Sequence, residues 1–305
     1  MANKAEQHGG GHDLTAIGLV LLAGLLFVSM NTCVKLATPV YGTGMLLWAR
    51  YFFHVAIVVL IFPNRVTQLL RQPQLKVQIA RSVLLLLSTC TSFLALSLMP
   101  IGQVAAITFS TPLIVAALAV AMLKEHVSWR RWAVILVGFL GTLLVVHPGS
   151  GDFNLGALAA LACAFVYALY QVSTRMVREA EPIVTLLFGG LVGMVVISLA
   201  APLFWRWPTP SGWAILVLIG LLGAVGHLCM IMALQRGEAS RISPYTYAQL
   251  LWATLSGLLV FGDVPNALTL AGAAVIVACG LYIRRLDRAE RRYVSSGAAA
   301  ETSRR

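Results

Sequence analysis

Carboxylates are scarce in this chain: 11 Asp and Glu among 305 residues, against 22 Lys and Arg. They are Glu6, Asp13, Glu125, Asp152, Glu179, Glu181, Glu238, Asp263, Asp287, Glu290 and Glu301, and all lie in tails, turns or the ends of apolar runs. None falls in the middle of a run, where an acidic proton relay through a membrane would stand. Also missing are the GxxxxGK[ST], HExxH and GxSxG signatures and any cluster of carboxylates, so the sequence does not read as an enzyme. No stretch between apolar runs is long enough for a nucleotide-binding domain, which argues against an ATP-driven pump within these residues. Charge of either sign amounts to 11% of the chain. A soluble domain carries roughly 25%, so a water-facing surface could not be covered and a lipid bilayer is the expected solvent. The five cysteines, Cys33, Cys90, Cys163, Cys229 and Cys279, stand far apart inside apolar runs. They read as small buried hydrophobes, not disulfides or metal ligands. Neither metal nor cofactor is expected. The net charge of +11 does not call for nucleic acid, because the basic residues cluster between apolar runs.

Hydrophobic residues make up 59% of the chain, and the mean hydropathy is +0.85. A helical span needs roughly 20 apolar residues. Ten such runs occur, at about 14–35, 42–62, 81–99, 102–123, 131–147, 155–175, 182–204, 211–234, 242–261 and 266–283. Turn signals separate them: Pro39 with Gly42, Pro63-Asn64, Pro100 with Gly102, Pro148-Gly149, Glu181-Pro182, Pro208 with Pro210, Arg236-Gly237 and Pro265-Asn266. The predicted fold is an all-α integral membrane protein of ten transmembrane helices. Residues 1–13 are expected as a disordered polar tail, in which His8 and His12 need no metal, and 285–305 as a basic tail. No small-residue cleavage pattern follows the first run, so it reads as a retained helix. Lys and Arg alternate from side to side. Arg65, Arg71, Lys76, Arg81, Lys124, Arg130, Arg131, Arg175, Arg178, Arg236, Arg241 and the C-terminal arginines share one side, which predicts cytoplasmic termini.

Residues Ala95 to Val146 and Ala233 to Ile283 repeat one pattern: an apolar run, a helix-length run with a Ser/Thr/Pro break, a polar hinge, then a Gly-punctuated run. Glu125 falls opposite Asp263, and Gly141 opposite Gly280 across a one-residue gap. Five spans per half is an odd number, so the halves should enter the membrane from opposite sides as inverted repeats. That symmetry suits a carrier that opens alternately to either side.

Polar groups facing lipid cost several kcal/mol each, so the polar spans one, three, four, six, eight and nine should turn inward around a central cavity. The candidate substrate-binding residues are Asn31, Ser88, Ser92, Thr108, Thr111, Tyr167, Tyr170, Gln171, His227, Tyr245, Tyr247, Gln249 and Trp252. The plainer reading of each Ser or Thr is a helix-to-helix hydrogen bond. His54 and His227 are the intramembrane groups able to titrate, and a neutral, hydrogen-bonded ring is the plainer reading of both. Gly223 and Gly226 would let a helix or a substrate approach His227. Pro112 and Pro244, at matching positions of the halves, are candidate hinges. Lys35 and Arg50 are placed near the outer boundary, where they can snorkel to water or attract a carboxylate. Trp48, Trp129, Trp132, Trp205, Trp207 and Trp213 fit an interfacial belt, and Gly189 with Gly193 permits close packing or dimerisation.

Lys35 closing the first helix, the segments PLIVAALAVAMLKEHVSWRRWAVILVGFLG and SPYTYAQLLWATLSGLLVFGDVPNALTLAGAAVIVACGLY, and the two five-helix repeats resemble the drug/metabolite transporter superfamily. Within it the chain looks like two EamA-type repeats, 14–147 and 148–284, and is similar to YddG-type amino-acid exporters. One departure is Asp263 where the first repeat has Glu125. The resemblance implies a carrier in a bacterial inner membrane that exports small metabolites, amino acids foremost, from a central cavity. Export of amphipathic drugs, nucleotide-linked sugars or lipid intermediates is the alternative. The expected partners are a small-molecule substrate and the bilayer, with the chain a monomer or weak homodimer. With no fixed charge expected at mid-depth, a zwitterion suits such a cavity better than a dianion.

Overall fold

The computed structural model describes residues 3–72, 74–99, 101–108, 110–125, 127–146, 155–262 and, in the last apolar run, 267, 271–272, 274–275, 278–279, 281–282 and 285–286. Among these residues every regular element is helical. α1 (Asn3–Ile61) contains the first two predicted runs and is broken at Gly42, whose φ of 71° and ψ of 162° suit glycine alone. Pro39, three residues earlier, removes a backbone donor from the same turn. A 3₁₀ turn (Pro63–Arg71) leads to α2 (Leu75–Leu98), which starts six residues before the predicted run and so takes Lys76 and Arg81 into the helix.

The fourth predicted run is two helices, α3 (Ile101–Thr108) and α4 (Thr111–Leu123), with Pro112 in the first turn of α4, where its missing N–H is not needed. α5 (Trp129–Val146), α6 (Leu155–Met176), α7 (Pro182–Ala200) and α8 (Pro210–Arg236) follow the predicted runs closely. α7 and α8 each begin with proline after a capping residue. The Glu181 carboxylate accepts from the Val184 N–H at 2.8 Å and the Thr209 hydroxyl from the Gly212 N–H at 3.1 Å. The ninth run is interrupted as well: α9 (Ala239–Ile242), a 3₁₀ turn (Ser243–Tyr247) holding Pro244, α10 (Ala248–Ser256) and a π turn (Gly257–Phe261). Lys124 after α4 and Gly262 after the π turn both adopt the left-handed conformation, at φ 55° and 73°. These are matching positions of the repeat, so the chain reverses alike in both halves. Asp263 and Gly280 lie outside the described residues.

The packing pairs are those that exchanging the halves would generate. α1 lies along α8 as α6 lies along α2, and α10 packs on α1 as α4 packs on α6. Glycines set the closest approaches. On α8, Gly220 faces Phe53, Gly223 the Arg50 side chain and Gly226 the Phe27 ring. On α7, Gly190 faces His54 and Val55, and Gly193 the Tyr51 ring. Gly189 meets Leu85, so the GxxxG face serves packing inside the chain. Leu60, Leu199, Leu203 and Leu259, each at least 80% exposed except Leu199 at 78%, mark an outer surface made for hydrocarbon. Trp48 departs from the belt expectation: it is buried, stacked on Phe52 at 4.6 Å and edge-on to Trp205 at 4.8 Å. Trp129 and Trp207 remain exposed as a belt requires. Among the described residues, five helical elements are long and apolar enough to cross a membrane: Leu14–Ile61, Leu75–Leu98, Leu155–Met176, Pro182–Leu203 and Pro210–Arg236.

A Cβ on Gly193 would stand 2.3 Å from the Tyr51 ring, whereas one on Gly18 would meet nothing within 4 Å. Gly193→Ala is therefore expected to destabilise the protein by about 1–3 kcal/mol through overpacking. Gly18→Ala should leave stability equal or slightly raised. Thermal melting of both variants in detergent checks the contrast.

Candidate substrate cavity

A cavity of about 140 Å³ lies between the two halves. One water needs about 10–15 Å³, so the space exceeds that of a single bound solvent molecule. α1 contributes Phe27, Asn31 and Arg50, α2 Ser88, Thr89 and Ser92, and the α3–α4 break Thr108, Thr111 and Pro112. From the second half come Tyr167 and Gln171 of α6, His227 of α8, and Thr246 and Gln249 around the start of α10. The six polar spans expected at the cavity all reach it, and the second run joins them through Arg50.

Helical spacing decides which residues reach the wall. Cys163, Tyr167 and Gln171 stand four apart on one stripe of α6, and Tyr170 falls just beside it. Thr246, Gln249 and Ala253 form a second stripe, which leaves Tyr245, Tyr247 and Trp252 on other faces. Tyr245 packs in an apolar cluster with Val20 and Val115, and the Tyr247 hydroxyl donates to the Ile135 carbonyl at 3.2 Å. These three expected wall residues, together with Tyr170, are not on the cavity wall among the described residues. Asn31, Ser88, Ser92, Thr108, Thr111, Tyr167, Gln171, His227 and Gln249 are. The side chain of Pro244 lies outside the described ones.

Four hydroxyls of the wall give their protons to nearby backbone carbonyls. Ser88 and Thr89 donate to the Leu85 carbonyl at 3.0 and 2.8 Å, Thr108 to Val104 at 2.9 Å and Thr111 to Thr108 at 2.6 Å. They offer the cavity acceptors only. Donors on the wall include the amides of Asn31, Gln171 and Gln249, the buried Tyr167 hydroxyl and Arg50.

Among the described residues Arg50 and Arg81 are wholly buried, and their surroundings differ. Arg81 has a partner on every nitrogen: Nε donates to Gln78 Oε1 at 3.2 Å, Nη1 to Tyr170 Oη at 3.0 Å and to Thr174 at 3.4 Å, and Nη2 to the Thr185 carbonyl. Tyr170 Oη also lies within hydrogen-bond distance of His227 Nδ1, at 3.4 Å. Among the described residues Arg50 has one hydrogen-bond partner. Its Nη1 donates to His54 Nδ1 at 2.9 Å, while His54 Nε2 lies 3.1 Å from the Leu186 carbonyl. A guanidinium only donates and a carbonyl only accepts, so His54 carries its proton on Nε2. Both histidines are thereby committed to structural hydrogen bonds. The expectation that Arg50 snorkels outward is overturned: Gly223 leaves room for the side chain to turn inward, and a Cβ there would stand 2.5 Å from Nε. Lys35 does not reach for a substrate either. Its Nζ caps the C-terminal end of α2 through the Leu96 and Met99 carbonyls, at 2.7 and 2.9 Å.

Beyond the cavity, Glu125 after α4 accepts from the Ala239 N–H at 3.2 Å and lies 4.0 Å from Arg175 Nε, joining the first half to the second. Arg175 also holds the Leu234 and Gln235 carbonyls at 2.9 and 3.2 Å.

The family pattern described as the EamA-like transporter family matches residues 14–147 and again 154–284. The chain belongs to the EamA-like transporter family. Its two repeats are thus family units, and the chain is a multi-pass membrane protein of the drug/metabolite transporter superfamily. It is 30% identical to an S-adenosylmethionine uptake transporter of Rickettsia bellii over 68% of this chain and 72% of that relative. It is 29% identical to a riboflavin transporter of Vibrio cholerae over 90% of this chain and 95% of that one. A pseudopaline exporter of Pseudomonas aeruginosa shares 26% identity over 90% of this chain and 98% of its own length. These EamA relatives agree on transport and differ in cargo and in direction.

In this EamA protein, Arg81→Met would strand Gln78, Tyr170 and the Thr185 carbonyl at once. The expected loss is on the order of 3 kcal/mol, read as a lower melting temperature in detergent.

Proposed function

We propose that this protein is a secondary carrier that exports small metabolites, amino acids foremost, from a bacterial cytoplasm across the inner membrane, with both termini cytoplasmic. The observation that carries the reading is a cavity shared by the two repeats, in which apolar walls from Phe27, Phe93 and Met230 meet the amides of Asn31, Gln171 and Gln249. An amphipathic molecule with an apolar or aromatic side chain and a polar head matches such a wall. Interrupted helices at matching positions, the α3–α4 break and the α9–α10 break, supply the points at which each half can bend. Ten spans in two inverted groups of five would then expose the cavity to one side and to the other by exchanging the roles of the halves.

A second reading, transport of larger metabolites or amphipathic drugs, draws on the varied cargo of the relatives. Counterflow in proteoliposomes separates the two. Vesicles loaded with an unlabelled amino acid are expected to accumulate the labelled form saturably, and a pH gradient should leave the rate unchanged, since His54 and His227 are hydrogen-bonded and no carboxylate lies mid-span. No exchange of any amino acid by folded protein would retire this reading and favour the second. Gln171→Leu should lower flux about tenfold or more, the effect of deleting one buried polar contact to a ligand. Membrane insertion should be unaltered.

A further inference from the structure

We infer that Arg50 is the anchor for a carboxylate of the transported molecule. The inference rests on the carrier reading above and deepens it by naming the group recognised. Arg50 is fully buried, lines the cavity and has no carboxylate partner among the described residues. A buried cation without a counter-charge is costly unless something pairs with it. The network that holds it in place decides which of its nitrogens have a protein partner. His54 takes Nη1, and the nitrogens left without a protein partner are Nε and Nη2. Those two N–H bonds leave the guanidinium along one edge and in parallel, the fork that receives both oxygens of a carboxylate. His54, tied in turn to the Leu186 carbonyl, fixes the rotation of that fork, and Gly223 gives it space.

Arg81 supplies the internal comparison. The same side chain, equally buried one helix away, spends Nε, Nη1 and Nη2 on protein acceptors. The fold can therefore satisfy a buried arginine, and at position 50 it does not. The unpartnered Tyr167 hydroxyl on the same cavity adds a further donor or acceptor for the bound head group. A planar carboxylate, with two oxygens side by side, matches that edge. For an amino acid the ammonium would then lie toward the hydroxyl and amide oxygens of the wall.

The test uses full-length protein in detergent and two matched probe pairs: L-phenylalanine against L-phenylalaninamide, and 3-phenylpropionate against 3-phenylpropionamide. Binding is read as ligand-dependent thermal stabilisation, with other standard amino acids and their amides as further pairs. Wild type is expected to bind an acid at least about tenfold more tightly than its amide. Arg50→Gln should abolish that preference, and Arg50→Lys should keep a reduced one. Gly223→Ala, which crowds Nε while retaining the charge, should weaken the preference too and covers the case in which Arg50→Gln does not fold. Equal response of wild type to acid and amide, no response to any carboxylate, or a preference that survives both Arg50→Gln and Gly223→Ala would overturn the assignment. A carboxylate preference without counterflow of any amino acid would leave the anchor standing and remove the amino-acid export reading alone.

Discussion

Hydrocarbon offers no hydrogen-bond partner, and that single constraint arranges the interior of this protein. Hydroxyls fold their protons back onto the carbonyls one turn earlier, as Ser88, Thr89 and Thr108 do. Arg81 gathers Gln78, Tyr170, Thr174 and Thr185 around itself. Lys35 closes a helix end instead of projecting into lipid. Against this general thrift, Nε and Nη2 of Arg50 and the Tyr167 hydroxyl are buried without a hydrogen-bond partner among the described residues.

Duplication converts a static bundle into a carrier scaffold. Each half brings a broken helix to the cavity, and each break sits beside polar residues: Thr108 and Thr111 in the first, Thr246 and Gln249 in the second. Glu125 then bridges the halves at the far end of α4 by holding the Ala239 N–H. The buried arginine networks tie α1 and α2 to α7.

Much of the fold was legible because membrane spans are written in composition. The apolar runs, the break at Pro39 and Gly42, and the matched interruptions near Pro112 and Pro244 all follow from local chemistry. The cavity wall was partly legible, since a Ser, Thr, Asn or Gln inside an apolar run has few places to go but inward. Arg50 was missed because its distance along the chain from the helix end suggested a route to water, whereas direction around the helix governs. The signal was present on another span, in Gly223, whose missing side chain makes room for it. Tyr245, Tyr247 and Trp252 were misplaced for a related reason. The 3₁₀ turn before α10 advances three residues per turn rather than 3.6, and with Thr246 and Gln249 inward their neighbours face elsewhere. Cation and aromatic ring alike are positioned by rotation, which composition does not record.

The most direct test of the carrier account is two-sided access to the cavity. Gln171→Cys, placed in a chain whose five native cysteines are replaced by serine, puts one reactive thiol on the wall. In membranes of known orientation, a membrane-impermeant thiol reagent would be applied from each side separately. The account predicts labelling from both sides, with a transported substrate slowing both. Labelling from one side only, unchanged by every candidate substrate, would contradict it.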